Sequence, residues 1–174
     1  MHHAQRAFTL LELAAVALIL AVAAAVAVPA LGNILAEAQL RTAADTLADD
    51  LATARRAALT RGGGILICAS RDQIHCSHAA RWDQGWIIRD ESKVLLAHGA
   101  LSARLASTAS EGRHTISFDD AGRSPGSNTT ITFCVRKRPA RAVSVVNSGA
   151  GRIRQEPAET ASAAACAHSR KNIR

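Results

Sequence analysis

Two arginines near the C-terminus have the type and spacing needed to bind phosphate groups. They lie in the segment Gly151-Arg152-Ile153-Arg154. If the segment is extended, Arg152 and Arg154 project on the same side, with their guanidinium groups about 6.5 to 7 Å apart. That separation matches successive phosphates on a nucleic-acid strand, the planar donors of arginine suit phosphate, and Gly151 would let the backbone approach a ligand. Arginine pairs on exposed strands are usually just solvated, so the motif alone is a weak signal.

The basic charge of the chain is concentrated at its C-terminal end. Residues 1–134 contain twelve Lys or Arg and twelve Asp or Glu, whereas residues 135–174 contain nine and two. The whole formal excess of +7 therefore lies in the last forty residues. There it favours an anionic partner such as nucleic acid or an acidic polymer. A second basic group, Lys137, Arg138 and Arg141, lies on a predicted hairpin loop, where a solvated turn is the alternative interpretation.

The N-terminal region combines a short polar leader with a long apolar stretch. Leu13 to Ala36 carry no charge, and about 20 apolar residues suffice for a membrane-spanning helix. The leader is very short and the apolar stretch follows Phe8, which favours an anchor over a cleaved secretory signal. Glu12 lies at the start of this stretch, where an unpaired acid is costly. It could pair with a new α-amino group at Phe8 of a neighbouring copy, after cleavage behind Ala7, or lie in the headgroup region near the helix N-terminus.

Helical periodicity continues beyond the apolar stretch, and short strands follow it. Apolar residues recur every seven positions in two rows, which are Leu40, Leu47 and Ala54, and Ala44, Leu51 and Ala58. Three glycines at 62–64 predict the helix end. The predicted strands are Ile65–Ala69, Gly85–Arg89, Val94–Ala97, Thr115–Phe118, Thr129–Val135 and Ala142–Val146. The predicted fold is α+β, with one long helix packed on an antiparallel sheet.

This pattern predicts five regions along the chain. They are a leader at 1–7, an apolar membrane-spanning helix at 8–35, its amphipathic continuation at 36–61, a β-sheet domain at 62–157 and a C-terminal tail at 158–174. After the leader and the span, roughly 135 residues remain, enough for one small domain.

Four cysteines lie after the apolar stretch, and an even number favours disulfides in a domain carried outside the cytoplasm. The short loop between Cys68 and Cys76 predicts that pair, which leaves Cys134 with Cys166. A metal site would have to use Cys68, His75, Cys76 and His78. Their spacing lacks the paired Cys-x-x-Cys of structural zinc sites, so no metal or other cofactor is predicted. The histidines are dispersed and no nucleophile-base-acid spacing stands out, so an enzyme is not expected.

The N-terminal segment resembles a known signal. Phe8-Thr9-Leu10-Leu11-Glu12-Leu13 followed by the apolar run is similar to the class III signal of type IV pilins and type II secretion pseudopilins. In that family a prepilin peptidase cuts before the Phe and N-methylates it, and the Glu neutralises a neighbour's amino terminus in the filament. The resemblance therefore implies cleavage and N-methylation at Ala7 and Phe8, assembly through Glu12, and a filament core formed by the apolar helix. The family usually has Gly before the cut, where this chain has Ala7.

Two internal segments resemble the FimT and GspH branch of this family. Residues 81–88 are similar to its tryptophan-glycine-tryptophan strand, and residues 116–123 to the strand and turn that follow. For Trp82 and Trp86, packing in the domain is the expected role, and stacking on a ligand is the alternative.

The end of the chain resembles FimT more closely than its relatives. FimT-type minor pilins carry a C-terminal Gly-Arg-x-Arg motif associated with binding extracellular DNA for uptake, and Gly151, Arg152 and Arg154 match it. The resemblance therefore implies DNA contacts by these residues. From their charge alone, Lys137, Arg138 and Arg141 are further candidates for DNA contact. A similar ending also occurs in relatives that serve secretion.

The predicted function is that of a minor type IV pilin that binds double-stranded DNA without sequence preference, supporting natural transformation and pilus biogenesis. The expected partners are other pilins, prepilin peptidase and the inner membrane, which the chain would cross once with a periplasmic domain before it joins a surface pilus. The alternative is a GspH-like pseudopilin of a type II secretion system.

Overall fold

The computed structural model describes residues 10–169. The predicted cleavage and methylation residues, Ala7 and Phe8, lie outside this range. The described chain falls into two compact units that divide between Leu35 and Ala36. Helix α1, Leu10–Arg61, contributes to both units.

The first unit is an apolar helix with an exposed surface. Leu18, Ile19 and Val26 are about two-thirds exposed, at 68%, 67% and 70%. Glu12 lies in the first turn of α1, and Pro29 lies within the helix. By length and composition, α1 is the one helix among residues 10–169 that could cross a membrane. An apolar surface of this length needs a membrane or other apolar helices to cover it.

In the second unit, α1 carries a buried face at helical period. Leu40, Leu47 and Leu51 are fully buried, and the alanines between them let the strands approach closely. The helix ends at Arg61, where the backbone N–H groups of Gly62 and Gly63 both donate to the carbonyl of Ala58, at 3.1 and 2.8 Å. Both glycines have positive φ, the left-handed conformation that ends many helices.

Within residues 10–169, eight strands form two antiparallel sheets of four strands each. They are β1 Ile65–Ala69, β2 Trp86–Arg89, β3 Val94–His98, β4 Leu105–Ala109, β5 Thr115–Phe118, β6 Thr129–Val135, β7 Arg138–Asn147 and β8 Ile153–Pro157. The first sheet has the order β3-β2-β1-β5, and the second has the order β4-β6-β7-β8. A short helix, α2, follows at Thr160–His168.

Both sheets share one core with α1. Ile67 and Phe118 of the first sheet and Ile131 and Phe133 of the second join the buried face of α1 in a single apolar cluster. The α+β fold with a long N-terminal helix on antiparallel strands is thus confirmed. The strands make two sheets instead of one, because β4 and β6 to β8 pair among themselves and not with β1, β2, β3 and β5.

Three local predictions differ from the structure. Strands β4 and β8 were not among the predicted strands, and the tail contains α2. The loop predicted between β6 and β7 is only Arg136 and Lys137, because Val135 pairs with Arg138 across an irregular register and the next residues join β7. Arg138 and Arg141 are therefore strand residues.

The two tryptophans are part of the core. Trp82 and Trp86 are each 1% exposed, which leaves no ring face for a ligand to stack on. The indole N–H of Trp82 donates to the carbonyl of Arg113 at 3.0 Å, and that of Trp86 donates to Oδ2 of Asp50 at 2.8 Å. Burial raises the pKa of Asp50, although this hydrogen bond and the nearby His98 act in the opposite direction. The buried indoles thus have the polar partners they need.

A buried carboxylate, Asp83, ties together three parts of the second unit. Arg81 approaches its two oxygens at 2.9 and 3.0 Å, the hydroxyl of Ser107 on β4 donates at 2.7 Å, and Arg136 donates at 3.2 Å from the turn between β6 and β7. Burial alone would raise the pKa of Asp83. The hydrogen bonds from Arg81 and Ser107, with the charges of Arg81 and Arg136, lower it instead.

Two disulfides fasten the periphery of the second unit. Cys68 is bonded to Cys76, and Cys134 of β6 is bonded to Cys166 of α2. These are the pairs expected from the sequence. The second bond, with a buried contact among Ala106, Cys134 and Cys166, holds α2 on the second sheet.

We predict that Asp83→Asn lowers the free energy of unfolding by about 3 kcal/mol, because two arginines lose a buried anionic partner. The native pKa of Asp83 lies below its unfolded value. Its stabilisation is therefore present at neutral pH and is lost as the pH falls below about 3.9. Urea unfolding at several pH values measures both effects. Asp120→Asn, at an exposed carboxylate, is the control. Equal stability losses in the two variants would contradict this role of Asp83.

Candidate nucleic-acid interface

The turn between β7 and β8 shapes the start of the arginine motif. The N–H of Gly151 donates to the carbonyl of Ser148 at 2.8 Å, and the N–H of Ser148 donates to the carbonyl of Arg152 at 3.0 Å. Gly151 has a φ of 72°. This is a tight turn followed by a left-handed residue, a common short connection in antiparallel hairpins, and glycine is the residue that adopts it without strain. Arg152 is therefore the first residue that returns along the second sheet.

Gly151 is also the point where two turns and α1 meet. A Cβ atom on Gly151 would lie 2.1 Å from the carbonyl oxygen of Gly122 and 3.2 Å from Nε of Arg55. Arg55 in turn donates from Nε to the carbonyl of Gly122 at 2.9 Å. Gly151 is buried, so the structure gives it a packing role in the motif and does not leave its backbone open to a ligand.

The two arginines of the motif lie on the face of the second sheet opposite α1. Ile153 between them packs against the core, so by strand alternation Arg152 and Arg154 point to the other side. Both are exposed. Arg154 pairs with Glu156, two residues along the same face, with Nε 3.0 Å from Oε2. The Arg152 guanidinium makes no ion pair or hydrogen bond within residues 10–169.

A third arginine, Arg123, lies beside the motif, and sequence reasoning missed it. Gly122 contacts Gly151, and the N–H of Ser124 donates to the carbonyl of Gly149 at 2.9 Å. Arg123 between them is exposed, at 66% of its side chain, and pairs with Asp119 at 2.9 Å. The family resemblance included residues 116–123, but it did not indicate that this turn contacts Gly151, because the two segments are far apart in sequence. We call Arg123, Arg152 and Arg154 the distal patch.

The carboxylate of Asp119 organises the turn that presents Arg123. It accepts hydrogen bonds from the backbone N–H groups of Ala121 and Arg123, at 3.1 and 2.7 Å. Desolvation works in the opposite direction, but these bonds and the Arg123 charge lower the pKa of Asp119. Asp119 thus remains an anion at neutral pH and offsets part of the charge of the distal patch.

The other predicted basic residues lie at the opposite end of β7. Lys137 precedes β7 and Arg138 begins it, whereas Arg152 follows its far end, about 30 Å away by the strand rise. Arg141 pairs with Glu37 of α1. The sequence therefore predicted six DNA-binding residues, of which the structure brings Gly151, Arg152 and Arg154 together and keeps the remaining three apart.

Within the described residues, His, Cys, Asp and Glu side chains form no group that could hold a metal ion. Both cysteines of the alternative metal site, Cys68 and Cys76, are joined to each other.

Similarity to known proteins covers most of the chain. A family model described as type II transport protein GspH matches residues 43–151, and a model of the prokaryotic N-terminal methylation motif matches residues 2–28. The type IV minor pilin FimU of Pseudomonas aeruginosa strain PAO1 is similar in structure, in two crystal forms. One gives 25% identity and a TM-score of 0.57, over 68% of this chain and 88% of that chain. The other gives 24% identity and a TM-score of 0.56, over 68% of this chain and 93% of that chain. No curated protein sequence matches the chain.

We predict that Gly151→Ala lowers the free energy of unfolding by more than about 2 kcal/mol, because the new methyl group combines left-handed strain with overlap on Gly122. Gly126→Ala is the matched control, since Gly126 has a φ of 66° and open space around its Cβ position. It should lose only about 1 kcal/mol. Thermal unfolding with the disulfides intact compares them. A Gly151→Ala variant no less stable than the control would contradict the packing role.

Proposed function

The chain belongs to the GspH family, and from that membership we propose that it is a minor type IV pilin that binds double-stranded DNA through its distal patch. Membership in a family of filament subunits, with an N-terminal methylation motif, implies processing by prepilin peptidase and assembly with other pilins. We propose cleavage after Ala7, methylation of Phe8 and neutralisation of a neighbour's amino terminus by Glu12. The apolar helix would anchor the chain once in the inner membrane, with a periplasmic domain, until it enters a surface pilus.

The observation that carries the DNA proposal is the exposed guanidinium of Arg152, which has no ionic partner within residues 10–169. Arg154 lies on the same face, and Arg123 flanks the turn. Their planar donors suit phosphate oxygens, which carry no base information. Binding is therefore independent of sequence and weakens with salt, because phosphate contacts release counterions; with so few contacts, the dependence of affinity on salt is shallow.

A single domain of this kind binds weakly. Arg154 and Arg123 each share their charge with a carboxylate, Glu156 and Asp119. Several subunits along one filament would raise the effective affinity without any new contact. Capture of DNA for natural transformation would then depend on the filament as well as on the domain.

We predict that Arg152→Ala weakens binding to duplex DNA more than Arg154→Ala does, because Arg154 is already paired with Glu156. The slope of log affinity against log salt should fall by about 1 for Arg152→Ala. Glu156→Gln should strengthen binding, since it frees Arg154. Anisotropy titration at several salt concentrations measures all three. Arg152→Lys keeps the positive charge and is the control that separates the effect of charge from that of the guanidinium group. Unchanged affinity when Arg152 and Arg154 are both replaced by Ala would end the proposal.

The second candidate function is a pseudopilin of a type II secretion system, which the description of the matching family favours. In that case the distal patch would contact another filament subunit. Neighbouring genes distinguish the two: pilus-assembly genes favour the pilin, and a secretion operon favours the pseudopilin. In a transformable host, loss of DNA uptake with pili retained in the Arg152 and Arg154 double variant would support the pilin.

A further inference from the structure

Strand β3 is an edge of the first sheet, and its outer side is open. It pairs with β2 on one side, and within residues 10–169 no further strand or backbone hydrogen bond joins it on the other. Its sequence, Val-Leu-Leu-Ala-His, contains no Asp, Glu, Lys, Arg or Pro. Leu96 and Ala97 are exposed. An open, uncharged, apolar edge of this kind is a template for another strand.

Two of the other edge strands are closed by side chains. On β5, the hydroxyl of Ser124 donates to the carbonyl of Ser117 at 2.8 Å, and the N–H of Ser117 donates to the hydroxyl of Ser127 at 3.4 Å. On β4, the N–H of Ser107 donates to the carboxylate of Asp83 at 3.2 Å. The backbone groups that an added strand would use are therefore already engaged on these two edges.

The fourth edge strand, β8, is protected by its composition. It carries Arg154 and Glu156 and ends at Pro157, and charges and proline are the usual means by which proteins prevent edge pairing. A β-bulge is another such means. The irregular register between β2 and β3 falls near Arg89, however, so Leu96 to His98 keep a regular edge. Among the edges within residues 10–169, that of β3 is thus the unprotected one.

The C-terminal end of β3 is held in place from the inside of the domain. Nε2 of His98 lies 3.0 Å from Oδ2 of Asp50 on α1, and the His98 ring packs on Trp86 with 5.2 Å between the ring centroids. Trp86 donates to the same oxygen of Asp50. A strand that is already ordered loses little conformational entropy when another strand joins it, which favours binding.

The partner that this edge fits is a second copy of the chain. Because β4, β5 and β8 are closed or protected, the strand that a second copy can offer is its own β3. In an antiparallel pair of identical strands, the open N–H groups of each meet the open carbonyl groups of the other by symmetry. Like charges would face each other near the two-fold axis, but β3 has no Asp, Glu, Lys or Arg. Selection of a different protein would need charged or polar contacts, which this edge lacks.

We infer that two copies of the chain associate through β3 in antiparallel orientation, which joins their first sheets into one sheet of eight strands. Each copy contributes only the short strand Val94–His98, so the association is weak in dilute solution. It matters where copies are concentrated, such as in one membrane. The inference does not depend on DNA binding, since β3 contains no residue of the distal patch.

The test is cross-linking of the full chain in lipid nanodiscs large enough for several copies. All four native cysteines are in disulfides, so Ala97→Cys supplies the single free thiol for a short bismaleimide. Ser117→Cys is the matched control, because Ser117 is exposed on β5 at the opposite edge of the same sheet. In the joined sheet the two β3 strands lie about 5 Å apart, whereas the two β5 strands are about 34 Å apart.

We predict that Ala97→Cys gives a cross-linked dimer and that Ser117→Cys gives only the small yield of random collisions. Adding Leu96→Lys to Ala97→Cys should lower the dimer yield about fivefold, because two positive charges then meet at the interface. Leu59→Lys adds the same charge to an exposed leucine of α1 and should leave the yield unchanged. Leu96 and Leu59 are 37% and 50% exposed, so both lysine variants should fold, which thermal unfolding checks.

Three results would overturn the inference. The first is no dimer from Ala97→Cys. The second is equal yields from Ala97→Cys and Ser117→Cys, which would place the association elsewhere, such as along the apolar helix. The third is cross-linking between the two kinds of chain when they are mixed, without cross-linking of Ala97→Cys to itself. That result would mean that copies pair head to tail.

Discussion

The close approach of Gly151 to the carbonyl of Gly122 is the contact on which the presentation of the arginine motif depends. There is no space for a side chain at this point, and Arg55 of α1 closes the contact by donating to the same carbonyl. One glycine thus fixes three elements at once: the turn after β7, the turn after β5, and the end of α1. Arg152 and Arg123 flank this contact, so backbone packing fixes the positions from which their side chains extend.

Strand β7 divides the basic charge of the second unit into two groups. The distal patch lies beside the turn that meets Arg55 of α1, and Lys137 and Arg138 lie at the other end of β7. In sequence these charges form one basic block, which suggests a single anionic partner. In the folded chain they lie about 30 Å apart by the strand rise.

The sequence predicted those features that depend on local pattern. Heptad spacing located the buried face of α1, the three glycines marked its end, and β-branched runs located six of the eight strands. Strand β4 was not predicted because its residues, Leu105-Ala-Ser-Thr-Ala109, are mostly small and lack that pattern. It joins the second sheet by pairing with β6. Helix α2 looked like a loose tail, although its alanines favour a helix and Cys166 ties it to β6.

What the sequence could not predict were contacts between distant segments. Gly151 was read as an opening for a ligand because nothing local reveals Gly122 against it, and Arg123 was missed for the same reason. The pairing of Arg154 with Glu156 is local and could have been noticed from the strand alternation.

Arginine-selective modification with phenylglyoxal, with and without duplex DNA, tests the central claim most directly when each site is quantified by mass spectrometry. The distal patch predicts that DNA protects Arg152 strongly and leaves Arg138 reactive. Protection of Arg138 with Arg152 still reactive, or protection of neither, would contradict it.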